Sequence, residues 1–153
     1  MADIVSPLVR SRMMAAVRGR DTRPERVVRR ALHANGLRFR LHVRSLPGCP
    51  DIVLRRWRVA LFVNGCFWHA HGCKDAKLPT TRQDFWREKL QGNALRDKKN
   101  MDALRSEGWR VLVVWECQLD AAKRAKNSRF FTALASTIRR PRNGSVVGAT
   151  YSL

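Results

Sequence analysis

The 153-residue sequence is poor in acidic residues and contains no apolar run long enough to span a membrane. Its first residues, Met1 to Val5, show no basic segment followed by an apolar stretch, so no secretory signal is expected. Hydrophobic residues make up 44 % of the chain, which is enough for a globular core and argues against disorder. These features predict one folded domain that remains in the cytoplasm.

The shortage of acidic residues leaves a large positive charge. The chain has 31 Lys and Arg against 12 Asp and Glu, a formal net charge of +19. The basic residues extend from Arg10 to Arg140 rather than forming one tail, which indicates a folded domain with a broad nucleic-acid footprint. A highly soluble basic globule and a protein that binds anionic membranes are the alternatives. No amphipathic helix with a clean basic face stands out, so nucleic acid is favoured.

The four cysteines are expected to be reduced, which favours metal ligation over a disulfide. Residues 66–73 bring two thiols and two imidazoles into one loop, and Cys117 ends a predicted strand. Because structural zinc takes four ligands, we assign it to Cys66, His71, Cys73 and Cys117. The alternative is a set of buried, unliganded cysteines. Cys49 lies outside this group and is expected to be an ordinary buried residue.

Hydrophobic spacing predicts a single α/β domain with a mixed sheet flanked by helices. The segments, in chain order, are a helix capped by Asp21 or Thr22 with an apolar stripe at Val27, Val28, Ala31 and Leu32, strands at 37–43, 51–54 and 59–63, a helix at 83–107 with a Thr81/Asp84 capping box, a strand at 109–116 and a helix at 128–138. Residues 1–20 are expected to form a basic arm that contacts DNA, residues 21–139 the domain, and residues 140–153 a flexible tail.

A group of ionisable residues suits phosphate chemistry. Asp51 begins a predicted strand, and a carboxylate at a sheet edge can hold Mg²⁺. His69 could then accept a proton from an attacking water, while Glu25 lies in the first turn of a helix that could pack beside this edge. Each residue has another interpretation: Asp51 as a turn residue, Glu25 as a partner of the helix dipole, and His69 as a zinc ligand.

Aromatic and polar residues suggest contacts with nucleic acid. Four side chains share one face of the long helix at spacings of three, four and four: Trp86, Lys89, Asn93 and Asp97. The alternative is a solvated face. Phe67 and Trp68, in the loop with the cysteines, could point outward and wedge into a base stack, or could cap the core.

Several motifs together resemble the very short patch repair (Vsr) DNA mismatch endonuclease family. They are Gly65-Cys-Phe-Trp-His69 followed by His71-x-Cys73, Phe85-Trp86-x-Glu-Lys89-x-x-x-Asn93, Gly108-Trp-Arg-Val-Leu-Val-Val-Trp-Glu-Cys117, and upstream Ser11-Arg-Met-Met14, Arg20-Asp-Thr22 and Leu46-Pro-Gly-x-Pro-Asp51. The similarity covers residues 8 to 119. Asn64 departs from it, because a known member of the family has a histidine at that position.

The resemblance implies a restriction-endonuclease-like fold with structural Zn²⁺ and catalytic Mg²⁺. It implies a nick 5′ to the thymine of a T·G mismatch, left by deamination of 5-methylcytosine, that starts short-patch repair. Asp51 and the Val63 backbone carbonyl would hold Mg²⁺. His69 would be the general base with Asp97 as its supporting carboxylate, and Glu25 would help to order water.

The resemblance also implies how the endonuclease domain at 21–139 meets DNA. Phe67, Trp68 and Trp86 would insert beside the mismatch from the major groove, with Met14 in the minor groove, and the pair itself would be contacted by Lys89 and Asn93. The expected partners are mismatched double-stranded DNA and, transiently, mismatch-repair proteins, for a monomer associated with the bacterial nucleoid. Two alternatives remain: a non-catalytic DNA-binding module, and a restriction-like relative with another specificity.

Overall fold

The computed structural model describes residues 6–16, 19–126 and 128–141. The predicted tail at 140–153 and the predicted arm at 1–20 therefore lie partly outside the described residues. Within them, no helix is both long and apolar enough to cross a membrane.

The centre of the fold is the expected mixed sheet. Its strands are β1 (Arg40–Leu41), β2 (Ile52–Leu54), β3 (Val59–Asn64) and β4 (Arg110–Trp115), in the spatial order β1-β2-β3-β4. The first three strands pair antiparallel, with a short 3-10 turn between β2 and β3, and β3 pairs in parallel with β4. A parallel pair needs a long crossover connection, which the longest helix of the described chain provides.

The helices are α1 (Pro7–Ala15), α2 (Arg23–Ala34), α3 (Gln83–Ser106), α4 (Glu116–Arg124) and α5 (Arg129–Arg139). Successive strand side chains point to opposite faces of the sheet, and the buried residues accordingly form two clusters. One joins the sheet to α2 and α5 through Leu32, Leu134 and Ile138. The other packs Leu104 of α3 against Val53 and Ala60. Helices therefore cover both faces, as the sequence predicted.

Details of the predicted elements differ from the structure. The strand predicted at 37–43 pairs only at Arg40–Leu41. The helix α2 begins after Thr22 as expected, but Val27 is 39 % exposed and lies outside the core. The helix α3 is preceded by Arg82, in a left-handed conformation and with no side-chain cap, so the predicted Thr81/Asp84 capping box is wrong. The helix α4 was not predicted, because it follows β4 without a turn and buries few apolar residues.

Two glycines in opposite environments allow a test of the loop that leads into β2. Gly48 has φ +71°, and a Cβ built on it would lie 2.9 Å from Asn100 Cβ of α3. Gly92, within α3, has open space where its Cβ would be. Gly48→Ala should therefore destabilise the protein by about 1–3 kcal/mol through strain and overpacking. Gly92→Ala should stabilise it by about 0.5–1 kcal/mol by reducing the entropy of the unfolded chain.

The measurement is the urea midpoint of unfolding for both variants beside the unchanged protein. Equal shifts of the midpoint in the same direction would contradict the close packing of the Gly48 loop against α3.

Candidate active site and metal centre

A cleft of about 950 Å³ opens at the edge of the sheet where β2 begins and β3 ends. It gathers most of the site residues that the sequence predicted: Met14, Glu25, Asp51, Val63, Trp68, His69, Lys89 and Asp97. The cleft is also lined by residues that the sequence did not single out, among them His42 and Glu116. Phe67, Trp86 and Asn93 do not line it but contact residues that do.

The backbone of β3 holds the Asp51 side chain in place at this edge of the sheet. The pairing of β2 with β3 ends at Ile52 and Leu61, which leaves the next outward amide of β3, that of Val63, beyond the ladder. The Val63 N–H donates to Asp51 Oδ2 at 2.8 Å. Because the N–H and C=O of one strand residue point to the same side, the Val63 carbonyl faces the same edge as this carboxylate.

Burial raises the pKa of Asp51 from its ordinary value of 3.8 to about 6. The Val63 N–H opposes that rise, the negative charge of Glu25 adds to it, and His42 and Arg29 oppose it weakly. A carboxylate that is desolvated beside a second carboxylate is a favourable place for a cation with oxygen ligands. The residues present therefore fit a divalent cation such as Mg²⁺.

His69 and Asp97 form a hydrogen-bonded pair across two elements. His69 lies in the turn after β3, and its Nδ1 is 2.5 Å from Asp97 Oδ2 on α3. An ionised carboxylate only accepts hydrogen bonds, so Nδ1 carries the proton and Nε2 is left as an acceptor. Asn93, one helical turn before Asp97, donates to the Trp68 carbonyl at 3.0 Å and ties the same loop to α3.

Glu25 is buried at the start of α2, where its carboxylate has four donors. One oxygen accepts from Thr22 N and Thr22 Oγ1, and the other from Asp21 N and Arg29 Nη2. These contacts include a capping box, so the role at the helix start that the sequence left open is present. Both oxygens of the Glu25 carboxylate are therefore engaged by hydrogen bonds in this arrangement.

A second cluster lies at the same end of the sheet. Cys66, His71, Cys73 and Cys117 each offer a ligand atom, and these atoms all lie within 4.8 Å of one another. The parallel register that sets Asn64 beside Trp115 explains how residues 66 and 117 meet, since each follows its strand by two residues. The His71 ring stacks on Trp115 at 4.1 Å between ring centroids, which fixes its orientation.

This cluster fits zinc by its chemistry. Three thiols and one imidazole are the soft and borderline donors of structural zinc sites. Burial raises the pKa of the Cys66 thiol to about 12 and also raises that of Cys117, so a metal must displace protons to bind. His69 lies outside the cluster and pairs with Asp97 instead, which leaves it available for other chemistry.

Aromatic side chains form a group beside the cleft. Phe67 contacts Trp68 and Trp86 edge-on, with ring centroids 5.1 and 5.3 Å apart, and Trp68 lies 6.1 Å from Trp86. Lys89 Nζ lies 5.5 Å from the centre of the Trp86 ring and 6.0 Å from that of Trp68. The three rings are partly exposed and pack on one another rather than within the two core clusters.

The sequence is similar to those of known DNA endonucleases. A family model described as DNA mismatch endonuclease Vsr matches residues 2–75. The type II nicking enzyme V.XorIIP of Xanthomonas oryzae pv. oryzae is 52 % identical over 119 residues, which cover 78 % of this chain and 88 % of the relative. The DNA mismatch endonuclease Vsr of Escherichia coli is 45 % identical over 119 residues, 78 % of this chain and 76 % of the relative.

The chain belongs to the Vsr family of DNA mismatch endonucleases. A further relative, the type II nicking enzyme V.NmeAIP of Neisseria meningitidis, is 40 % identical over 119 residues, 78 % of this chain and 85 % of the relative.

The structure adds residues to this Vsr-family site that sequence reasoning missed. His42 follows β1 with φ +45° and lies among Asp21, Glu25 and Asp51. Arg29 fills the space between the first two carboxylates. A signal existed only for Arg29, which is four residues after Glu25 on the same helix face. Cys49, predicted to be buried, is only half-buried and lines the cleft.

The metal cluster predicts a structural dependence on zinc. We expect one zinc ion per chain in the purified Vsr-family protein. Cys73→Ser should lower zinc content and reduce Tm by about 10 °C or more, because binding free energy at such a site is folding free energy. Cys49→Ser, which alters the cysteine outside the cluster, is the matched control and should retain the metal. Elemental analysis and thermal unfolding measure both effects, and a folded protein free of zinc would exclude the assignment.

The burial of Asp51 predicts that Asp51→Asn stabilises the protein at neutral pH without added magnesium. The Asp51 pKa is higher in the folded protein than in the unfolded chain, so the protonated carboxyl favours folding. That advantage is lost as the pH rises through the range from 3.8 to about 6. A rise of this size corresponds to no more than about 3 kcal/mol.

Urea unfolding of Asp51→Asn and of the unchanged protein, at pH 7.5 and at pH 4, measures the difference in their free energies of unfolding. The variant should be more stable by about 1–3 kcal/mol at pH 7.5, with a smaller difference at pH 4. A variant that is less stable at pH 7.5 would mean that the Asp51 charge is not a burden on folding.

Proposed function

We propose that this chain is a DNA endonuclease that nicks one strand 5′ to the thymine of a T·G mismatch and thereby starts very short patch repair. The observation that carries the proposal is the cleft itself, where the His69–Asp97 pair and the buried Asp51 line one cavity beside a group of aromatic rings. The names of the relatives, a mismatch endonuclease and nicking enzymes, support the same class of reaction.

The charge and the aromatic group support binding to mismatched duplex DNA. The net charge of +19 supplies salt-sensitive affinity for the phosphate backbone. Phe67, Trp68 and Trp86 would insert beside the mismatch from the major groove. A T·G wobble pair is weaker than a matched pair, so separating the stack there costs less free energy. Lys89 and Asn93 would contact the mismatched bases, and Met14, which lines the cleft from α1, would approach from the minor groove.

Asp51 and the Val63 carbonyl would hold Mg²⁺, with the phosphate and water as the remaining ligands. When bound, Mg²⁺ stabilises the negative charge that develops on the phosphoryl oxygens during hydrolysis. The remaining cleft residues contribute position and proton transfer. Asn64, which departs from the family pattern, is buried in the cleft wall and offers an amide where the pattern has an imidazole.

His69 is the residue proposed to accept a proton from the attacking water. In the neutral imidazole, the hydrogen bond from Nδ1 to Asp97 makes Nε2 the basic nitrogen, as a general base requires, and Asp97 would stabilise the imidazolium that forms. Both side chains are about 70 % buried, so the pair is sheltered but remains open to the cleft.

The decisive experiment is a nicking assay with Mg²⁺ on an end-labelled duplex carrying one T·G mismatch in varied flanking contexts. We expect a single cut on the thymine strand beside the mismatch. His69→Ala should reduce the nicking rate by about 100-fold or more while leaving DNA affinity within a few-fold, because it removes only proton transfer. The control is His33→Ala, an exposed histidine of α2 that does not line the cleft.

Other outcomes would redirect the proposal. Binding without any cut, across contexts and divalent metals, would favour a non-catalytic DNA-binding module. Cutting of the matched duplex at the same rate would favour a restriction-like relative with another specificity. Undiminished nicking by His69→Ala would remove this residue from the role of base.

A further inference from the structure

We propose that Arg29 and His42 are positioning residues that orient the Asp51 carboxylate for metal binding. The inference rests on the proposed function of Asp51 as a metal ligand. Neither Arg29 nor His42 was part of the predicted site. Both lie in the wall between α2 and the cleft, and their side chains are 13 % and 15 % exposed.

Two carboxylates hold the Arg29 side chain in place. Its Nη1 lies 2.6 Å from Asp21 Oδ1, and its Nη2 lies 2.6 Å from Glu25 Oε2. The capping box in turn holds the Glu25 carboxylate against the first turn of α2. A guanidinium bound at two nitrogens by two carboxylates has little rotational freedom, so its remaining N–H groups point in defined directions.

One of those N–H groups sets the tautomer of His42. Arg29 Nη2 lies 2.9 Å from His42 Nε2, whereas Glu25 Oε2 lies 3.4 Å from the same nitrogen. A guanidinium can only donate, so at the shorter distance Nε2 is the acceptor. The ring proton of His42 is then on Nδ1. That nitrogen lies 3.8 Å from Asp51 Oδ1, a separation at which the two groups interact electrostatically without a hydrogen bond.

The two oxygens of Asp51 are therefore oriented from two sides. Val63 N–H holds Oδ2, and His42 faces Oδ1. The backbone strengthens the link, since the His42 N–H also donates to the Asp51 carbonyl at 3.3 Å. His42 has φ +45°, a conformation that costs free energy for a residue with a Cβ and that directs the ring toward Asp51. Partners that orient a metal ligand change metal affinity or activity by about 10–100-fold when they are removed.

Two conservative variants separate the two nitrogens of His42. His42→Asn retains an amide N–H near the position of Nδ1, which faces Asp51, and asparagine tolerates a positive φ. His42→Gln retains a polar group near the position of Nε2, which faces Arg29. If His42 acts by orienting Asp51, then His42→Asn should retain metal affinity and His42→Gln should lose it. Arg29→Lys keeps the positive charge but loses the planar guanidinium, so its metal affinity should fall as that of His42→Gln does.

The experiment measures Mn²⁺ affinity of the zinc-loaded protein without DNA, by electron paramagnetic resonance of free Mn²⁺, and the Mg²⁺ dependence of nicking on the T·G duplex. We expect His42→Ala to weaken Mn²⁺ binding and to raise the Mg²⁺ concentration for half-maximal nicking, each by about 10-fold or more. His42→Asn should lie within about 3-fold of the unchanged protein. His33→Ala is the control, and thermal unfolding establishes that each variant is folded.

Unchanged Mn²⁺ affinity and Mg²⁺ dependence in folded His42→Ala would overturn the inference. Metal affinity retained by His42→Gln but lost in His42→Asn would also overturn it. Failure of the proposed function has a different signature. If the unchanged protein nicks no duplex but His42→Ala still loses Mn²⁺ affinity, the positioning role stands and the assigned reaction is wrong.

Discussion

The parallel pairing of β3 with β4 is the contact on which the site depends. Its register sets Asn64 beside Trp115, at the end of the sheet where the cleft and the metal cluster lie. Cys66 and Cys117 come together because each lies two residues beyond this pair. On the other side of β3, the amide and carbonyl of Val63 face toward β2. The pairing of β2 with β3 ends at Ile52, so the Asp51 side chain can accept the hydrogen bond from the Val63 amide. A shift of one residue between β3 and β4 would turn side chains to the wrong faces and separate the metal cluster. A bound zinc ion would in turn fix this register, since its ligands come from the segments after both strands.

The charges of the cleft are segregated in a way that suits two different ions. The chain as a whole carries +19, and Arg20, Arg44 and Lys89 lie on the cleft wall. The interior of the same cleft holds Glu25, Asp51 and Asp97. A polyanion is attracted by the surroundings, whereas a divalent cation is attracted by the interior. Arg29 pairs with both Asp21 and Glu25, so its single positive charge offsets part of the negative charge of these two carboxylates. This separation explains how a strongly basic protein can keep an acidic centre without the two cancelling.

Much of this arrangement could be predicted from sequence, for a physical reason that also explains the failures. The cysteine cluster, Asp51 and the stripe on α3 are encoded locally, by loop composition, by the start of an apolar run and by helical spacing. Arg29, in α2, and His42, just after β1, are 13 residues apart, and no local periodicity relates them. They meet because α2 packs on one face of the sheet, and His42 follows β1 with a positive φ. The same limit applies at α3, where the sequence suggests a Thr81/Asp84 capping box but the chain enters through Arg82 in a left-handed conformation. Local sequence propensity carries no information about the tertiary packing that overrides it.

Asp51 shows how function and stability compete at this site. Burial beside Glu25 makes its charged form unfavourable, and this penalty raises the pKa of Asp51 to about 6. Natural cores avoid such groups unless a partner compensates. The contacts from Val63 and His42 compensate only in part, because otherwise the pKa would not be raised. A divalent cation would relieve the uncompensated remainder, so under the proposed function the penalty on folding would reappear as affinity for the metal. The orientation that we propose for Asp51, through Val63, His42 and Arg29, would then serve metal binding. A fully neutralised Asp51 would stabilise the fold but would have little reason to bind a cation, and a freely rotating one would have to be ordered each time a cation bound.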